Sequence, residues 1–143
     1  MYAVYHGPDG LRKIAGRIHA LTRSLDAGLK AMGMQQVNEH YFDTLKVVVA
    51  DNRAIAVEAE KRQMNFRYFE NNHVGISVDE TTSPEDCKMI LEIFAAAGNK
   101  KNIDLSLNGK ELNWPPALVR TSAYLTHPVF NTHHSEHEML RYL

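Results

Sequence analysis

Apolar positions at Leu11, Ile14, Ala15, Ile18, Leu21, Leu25, Leu29 and Met32 recur at intervals of three and four, the period of one helix face. Lys13, Arg17, Arg23, Asp26 and Lys30 fall on the other faces. The pattern predicts a helix from Leu11 to Met32, about 33 Å long at 1.5 Å per residue. The turn residues Gly7-Pro8-Asp9-Gly10 precede it, and Gly33 is placed as its C′ residue. Helices of that length often run between two domains.

The period then changes. Met34–Asn38 has the outline of a short strand, and Thr44–Val49, β-branched and mostly apolar, that of a central one. Asp51 or Asn52 can cap a helix from Arg53 to Met64, whose Glu58, Glu60, Lys61 and Arg62 form a solvated side. Asn65–Phe69 and His73–Val78 flank Glu70-Asn71-Asn72, a hairpin signal because Asn tolerates the positive φ of a tight turn. Ser83 as N-cap, Pro84 at N1 and Glu85 and Asp86 behind them start a helix that runs to Ala97 and stops at Gly98. Ile103, Leu105 and Leu107 alternate as in an edge strand or hairpin, and Trp114-Pro-Pro116 breaks regular structure, so Asn99–Ser122 as a whole is expected to be linker. Ser135 and Glu138 form a capping box for a last helix, Glu136 to Leu143.

The expected fold is therefore α+β. A long N-terminal helix leads into a small antiparallel-rich sheet in the order β-α-β-β-α, with helices on one face.

Composition narrows the function classes. An apolar fraction of 44% and a charged fraction of 23% over 143 residues suit one globular domain with a real core. A net charge of -1 advertises no broad basic surface for nucleic acid or anionic lipid. No apolar run approaches the ~18–20 residues of a membrane span, and the first residues lack the regions of a signal peptide. The single cysteine, Cys87, excludes an intrachain disulfide and fits a reducing compartment. Its register with Ile90, Leu91 and Phe94 marks it as a small buried hydrophobe. His19, mid-helix beside Ile18, suits a solvated or packing role better than a ligand role.

No glycine-rich phosphate loop, G-x-S-x-G elbow or C-x-x-C pair is present. Three constellations remain. Metal binding would draw on His127, His133, His134 and His137, since His133 and His137 are four apart. The capping box at Ser135 places His133 outside the helix, however, so the two would not share a face, and no metal ligand is assigned. A pyridoxal-phosphate (PLP) site needs a Schiff-base lysine, a carboxylate for the ring nitrogen and a phosphate cup. None of the eight lysines has such a context; Lys46 falls in a strand and Lys88 on a helix. Small-molecule sensing is the third. The order from Thr44 to Leu107 has the β-α-β-β-α-β outline of an ACT-like amino-acid-binding regulatory module, though the turn after the first strand, Ala50-Asp51-Asn52, lacks that module's glycine.

Several segments together resemble one family. Tyr5-His-Gly-Pro-Asp-Gly-Leu11, Ile14-Ala15, Arg17-Ile18-His19, Tyr41–Leu45 and Gly75–Thr82 are similar to stretches of the glycine cleavage system P protein. The most specific likeness is Leu125-Thr-His-Pro-Val-Phe-Asn131 with His134-Ser-Glu136 and Met139–Tyr142. The family carries Thr at the position of His137, which weakens a histidine metal site further.

The resemblance implies a PLP-dependent glycine dehydrogenase (decarboxylating). It decarboxylates glycine and passes the aminomethyl group to the lipoyl arm of the H protein. It implies two homologous halves of fold-type-I architecture, with this chain supplying the small domain of the first half. Residues 1–33 would be an interdomain helix, 34–98 the small α+β domain, 99–122 a linker and 123–143 the truncated start of the catalytic half. The catalytic lysine, its neighbouring histidine and the phosphate cup would lie beyond Leu143, so no catalytic, cofactor-binding or metal residue is assigned here. PLP belongs to the parent and not to this fragment. The fragment is expected to be inactive alone and to self-associate through Ile14, Ile18 and Leu25. Its partners would be the catalytic half and the H protein, with no nucleic acid or membrane, in a bacterial cytoplasm or a mitochondrial matrix. Should any residue here reach the assembled active site, His127, His133, His134 and Arg141 stand closest to it in sequence.

Overall fold

The computed structural model describes residues 1–100 and 115–143. The expected strand at Ile103–Leu107 lies outside them. The described residues form two compact units. One holds Met1–Arg17 with 115–143, and the other holds 18–100.

Helix α1 (Tyr2–Ala31) begins earlier than its periodicity suggests. The turn expected at Gly7–Gly10 shrinks to one residue, Gly7, at φ 62 and ψ -178. Pro8 follows in the first turn of the resumed helix, where its missing N–H costs nothing. The core lies in the 18–100 unit. Leu21, Leu25 and Leu29 on α1 and Met32 just past its end are buried there, and Ile18 packs against them. Thr22 and Ser24, also buried, donate their hydroxyls to the carbonyls of Ile18 and Ala20, both at 3.0 Å, so neither is left unpaired. At Gly28 a Cβ would stand 2.6 Å from Leu91 Cδ1, so the glycine permits the helix that carries Leu91 to press directly on α1.

Among the described residues four antiparallel strands follow in the order β1-β2-β4-β3: β1 (Gln35–Gln36), β2 (Thr44–Val48), β3 (Arg67–Phe69) and β4 (His73–Ser77). Leu45 pairs with Ile76 and Val47 with Val74, and this row faces the core. Against it lie α1, α2 (Asn52–Lys61) and α3 (Pro84–Ala97), all on one face. The α+β arrangement follows the expectation. The place beside β2 that a β-α-β-β-α-β module gives to its last strand is taken here by β1, which precedes β2. The β1 expectation of five residues shortens to two paired ones.

Local signals set most boundaries. Asp51 caps α2, accepting from the Arg53 N–H at 2.8 Å. Ser83 and Asp86 form a full capping box on α3, with Pro84 in its first turn. Asn71 and Asn72 sit at φ 58 and 56, the left-handed pair that the hairpin demands. The C-termini of α1, α2 and α3 share one closing motif. Met34 N–H reaches Leu29 O at 3.0 Å, Met64 reaches Ala59 O at 2.9 Å and Lys100 reaches Ala95 O at 2.8 Å. The left-handed residue in each is Gly33, Gln63 and Asn99, so Gly98 is not the residue that turns the chain at the end of α3. Cys87 is fully buried beside Ile90, Leu91 and Phe94, in keeping with a packing role.

Leu25 is fully buried within this chain, contrary to the expectation that it lacks a partner surface. Burial against α3 and the sheet supplies that surface. The large apolar side chains left exposed include Tyr2, Tyr5, Leu140 and Leu143 instead.

Candidate functional site: the histidine-rich tail

The stretch from Leu125 is shaped by side chains bonding their own backbone. His127 N-caps a 3-10 turn at Pro128–Phe130, its Nδ1 accepting from the Val129 N–H at 3.2 Å. Asn131 donates its amide to the carbonyls of Leu125 at 3.0 Å and His127 at 3.2 Å, and Thr132 donates its hydroxyl to Pro128 O at 2.7 Å. Leu125 itself is held at φ 51. Helix α4 (Glu136–Tyr142) then starts on the predicted capping box, Ser135 with Glu138. The hydrogen bond from the Ser135 hydroxyl, ahead of that from its backbone N–H, holds the Glu138 carboxyl below the usual carboxylate range.

Three contacts fasten this tail to the residues around Gly7. His134 Nδ1 lies 2.8 Å from Tyr5 O; a carbonyl only accepts, so Nδ1 carries the proton and donates. Tyr124 donates its hydroxyl to Pro8 O at 2.6 Å, and the guanidinium groups of Arg12 and Arg120 lie 5.8 and 5.5 Å from its ring centroid. At Gly7 a Cβ would meet His134 Cε1 and Phe130 O, both at 2.8 Å. Only glycine suits both the space and the φ of 62. A cleft of about 360 Å³ remains between Tyr5, His6, Gly7, Pro8, Asp9, Asn131 and His134.

The four tail histidines therefore do separate work. His127 caps, His134 latches, and His133 stacks on Tyr142 with ring centroids 4.7 Å apart, while His137 is exposed on α4. Among the described residues, no three His, Cys, Asp or Glu side chains gather as metal ligands would. Arg141 is exposed in the last turn of α4. His19, by contrast, is buried in the 18–100 unit, donating from Nδ1 to Phe42 O at 2.9 Å and stacking on the Phe42 ring.

That unit also holds a buried carboxylate which periodicity did not single out. Asp26 Oδ2 accepts from Tyr41 OH and from Lys30 Nζ, each at 2.8 Å. Burial, reinforced by the hydrogen bond to Asp26, pushes the Tyr41 phenol well above its ordinary range. Asp26 on α1 and Tyr41 in the loop before β2 are fifteen positions apart, so only the charge of Asp26 on a helix could have drawn notice.

The described lysines do not fit a PLP Schiff base. Lys30 is held by Asp26 and Lys61 by Glu58, Lys46 lies over the Phe69 ring, and Lys13, Lys88 and Lys100 are exposed. The Ala50-Asp51-Asn52 turn is likewise spent on structure: Asp51 caps α2, and Asn52 donates its amide to Phe69 O at 2.5 Å. Among the described residues no helix is long and apolar enough to cross a membrane.

The tail latch joins two of the stretches that carry the family likeness, Tyr5–Leu11 and Leu125–Tyr142. The sequence profile described as "Glycine cleavage system P-protein" matches residues 1–94, and the chain belongs to that family. It is 49% identical over 144 aligned residues to the glycine dehydrogenase (decarboxylating) of Cupriavidus metallidurans, an alignment covering all of this chain and 15% of that protein. It is 48% identical to the protein of the same name from Xanthomonas oryzae pv. oryzae, over all of this chain and 14% of the relative. Identity to the mitochondrial glycine dehydrogenase (decarboxylating) of Flaveria trinervia is 45%, again over all of this chain and 14% of the relative. The chain thus spans about 15% of the length of the curated relatives it matches. These alignments include the histidine-rich tail, which lies beyond the residues that the profile matches.

Proposed function

We propose that this chain serves as a non-catalytic part of a glycine dehydrogenase (decarboxylating) of the glycine cleavage system. The observation that carries the reading is alignment across the whole chain, at 45–49% identity, with proteins of that name. The described lysines, each exposed or engaged elsewhere, support the non-catalytic half of it. In the whole enzyme PLP would be held by residues outside this chain and would supply the electron sink for decarboxylating glycine. The H protein would take the aminomethyl group on its lipoyl arm. The small α+β unit would be the small domain of a fold-type-I half, and the tail latch would fix the chain's direction towards the catalytic half. The setting would be a bacterial cytoplasm or a mitochondrial matrix.

The test is a titration of the purified chain with PLP, with glycine and other amino acids, and with zinc. The expected result is no Schiff-base absorbance, no thermal shift and no stoichiometric metal. A Schiff-base band would overturn the non-catalytic assignment, and a clear amino-acid shift would move the chain to the sensing class. Self-association through Tyr2, Tyr5, Leu140 and Leu143 is expected as well. A strict monomer by sedimentation at micromolar concentration would count against it.

A further inference from the structure

The sheet has a second face, opposite the core, whose chemistry the family reading leaves unused. Lys46 on β2, Gly75 on β4 and Arg67 on β3 are cross-strand partners in one row. Two strand spacings separate the two outer backbones, about 10 Å. Phe69 lies across the middle: a Cβ on Gly75 would stand 3.0 Å from Phe69 Cε2, so the glycine makes room for the ring. The Lys46 ammonium and the Arg67 guanidinium each lie 4.9 Å from that ring's centroid. Two like charges are thus held on one aromatic ring, and among the described residues neither forms an ion pair.

Among the described residues, no strand position on this face is acidic. Thr44 and Ser77 occupy the neighbouring row, their hydroxyls 3.1 Å apart, and both are exposed, as is Arg67. Three aspartates at its margins are hydrogen-bonded within their own turns. Asp43 accepts from the Thr44 hydroxyl at 2.9 Å, Asp79 from Thr81 and Thr82, and Asp86 from Ser83 in the α3 capping box. Val48 and the exposed Val37 add apolar surface beside Lys46.

We propose that this open face, centred on Lys46, Phe69 and Arg67, docks an acidic segment of a partner protein in extended form. Charge complementarity selects the occupant. Two cations near one another without a counter-ion attract carboxylates, and arginine takes a carboxylate through two parallel hydrogen bonds. Side chains on one side of an extended segment repeat at about 7 Å, so acids at alternate positions can reach both cations. A long polyanion such as nucleic acid suits the face less well. The chain's net charge is -1, and the ring a base would stack on is already engaged by both cations.

The proposal is independent of the glycine dehydrogenase reading, and its test uses the full chain. A fluorescein-labelled peptide with Glu at alternate positions is titrated with the protein at low ionic strength and followed by anisotropy. A Gln version of the peptide and a single-stranded oligonucleotide of equal charge serve as comparisons. The Glu peptide is expected to bind, and the Gln peptide is not. Lys46→Ala and Arg67→Ala should each weaken binding about threefold, and the pair about tenfold. Rising salt should weaken it throughout. Circular dichroism confirms that the variants fold, and Lys61→Ala on α2 should bind as the parent does. Overturning results are no binding of the Glu peptide, an unchanged affinity in the double variant, or tighter binding of the oligonucleotide. Loss of self-association in the double variant would also overturn the proposal, by assigning the face to a second copy of this chain.

Discussion

The two units are held together by different physics. In the 18–100 unit the large fully buried side chains are apolar except for Thr22, and those from two helices and two strands include Leu25, Leu29, Leu45, Val47, Val74, Ile76, Leu91, Ile93 and Phe94. In the unit of Met1–Arg17 and 115–143, only Val4, Gly7 and Met139 are buried among the described residues. Its order comes from hydrogen bonds to backbone carbonyls, made by His134, Tyr124, Asn131 and Thr132. Apolar burial of a large side chain contributes roughly 1.5–3 kcal/mol, and a net hydrogen bond roughly 0.5–1.5. The first kind of unit tolerates surface change; the second depends on a few directional contacts.

Phe94→Ala attacks the strong side of that contrast. Phe94 is fully buried and meets Phe66 edge-on with centroids 5.6 Å apart. The expected loss is about 3–5 kcal/mol, read as a fall in the urea midpoint. A change below ~1 kcal/mol would mean that the core is not what holds this unit.

Gly7→Ala attacks the other side. The new methyl would meet His134 and Phe130 O while forcing alanine to φ 62, at a cost of about 2 kcal/mol. The tail from Leu125 should become more sensitive to protease and exchange its amides faster. Unchanged protection there would show that the latch is dispensable.

Capping compares the units on equal terms, because each has a Ser box. Ser83→Ala and Ser135→Ala should each cost about 1 kcal/mol of local helix stability. Asp86 and Glu138 are both held below their ordinary range, chiefly by hydrogen bonds from Ser83 and Ser135. A carboxyl so depressed stabilises the fold above its unfolded pKa and loses that contribution as pH falls through the folded one. Helicity of α3 and α4 should therefore fray below about pH 4, and Glu138→Gln should remove that dependence from α4. Circular dichroism or amide shifts against pH check this, and fraying on raising the pH would reverse the sign.

The smallest effect concerns Gln63, which closes α2 at φ 55. Gln63→Gly should stabilise by about 0.5–1 kcal/mol, the relief of a left-handed side chain less the extra entropy of glycine. A loss on substitution would point to a side-chain role for Gln63.

Much of the 18–100 unit was legible because its signals are local. Ser83-Pro84 starts α3, Asp51 starts α2, Asn71-Asn72 turns the hairpin, and alternation at Val74 and Ile76 marks the buried strand face. The capping box that separates His133 from His137 was legible for the same reason. The tail latch was not, since His134 and Tyr5 lie 129 positions apart and neither residue's neighbours announce the other. Glycine at position 7 was visible as turn chemistry, but its need for space became visible only once His134 was placed against it.

By itself, then, the sequence determined where most helices and strands begin, which faces are apolar and to which family the chain belongs. Those properties rest on neighbours a few positions apart and on residue order. Only the tertiary structure decided that β1 closes the sheet beside β2, and that Asp26 meets Tyr41 in the interior. It also decided that Lys46 and Arg67 share one aromatic ring. Each of these joins residues from separate elements, and their distance is set by how the apolar faces pack.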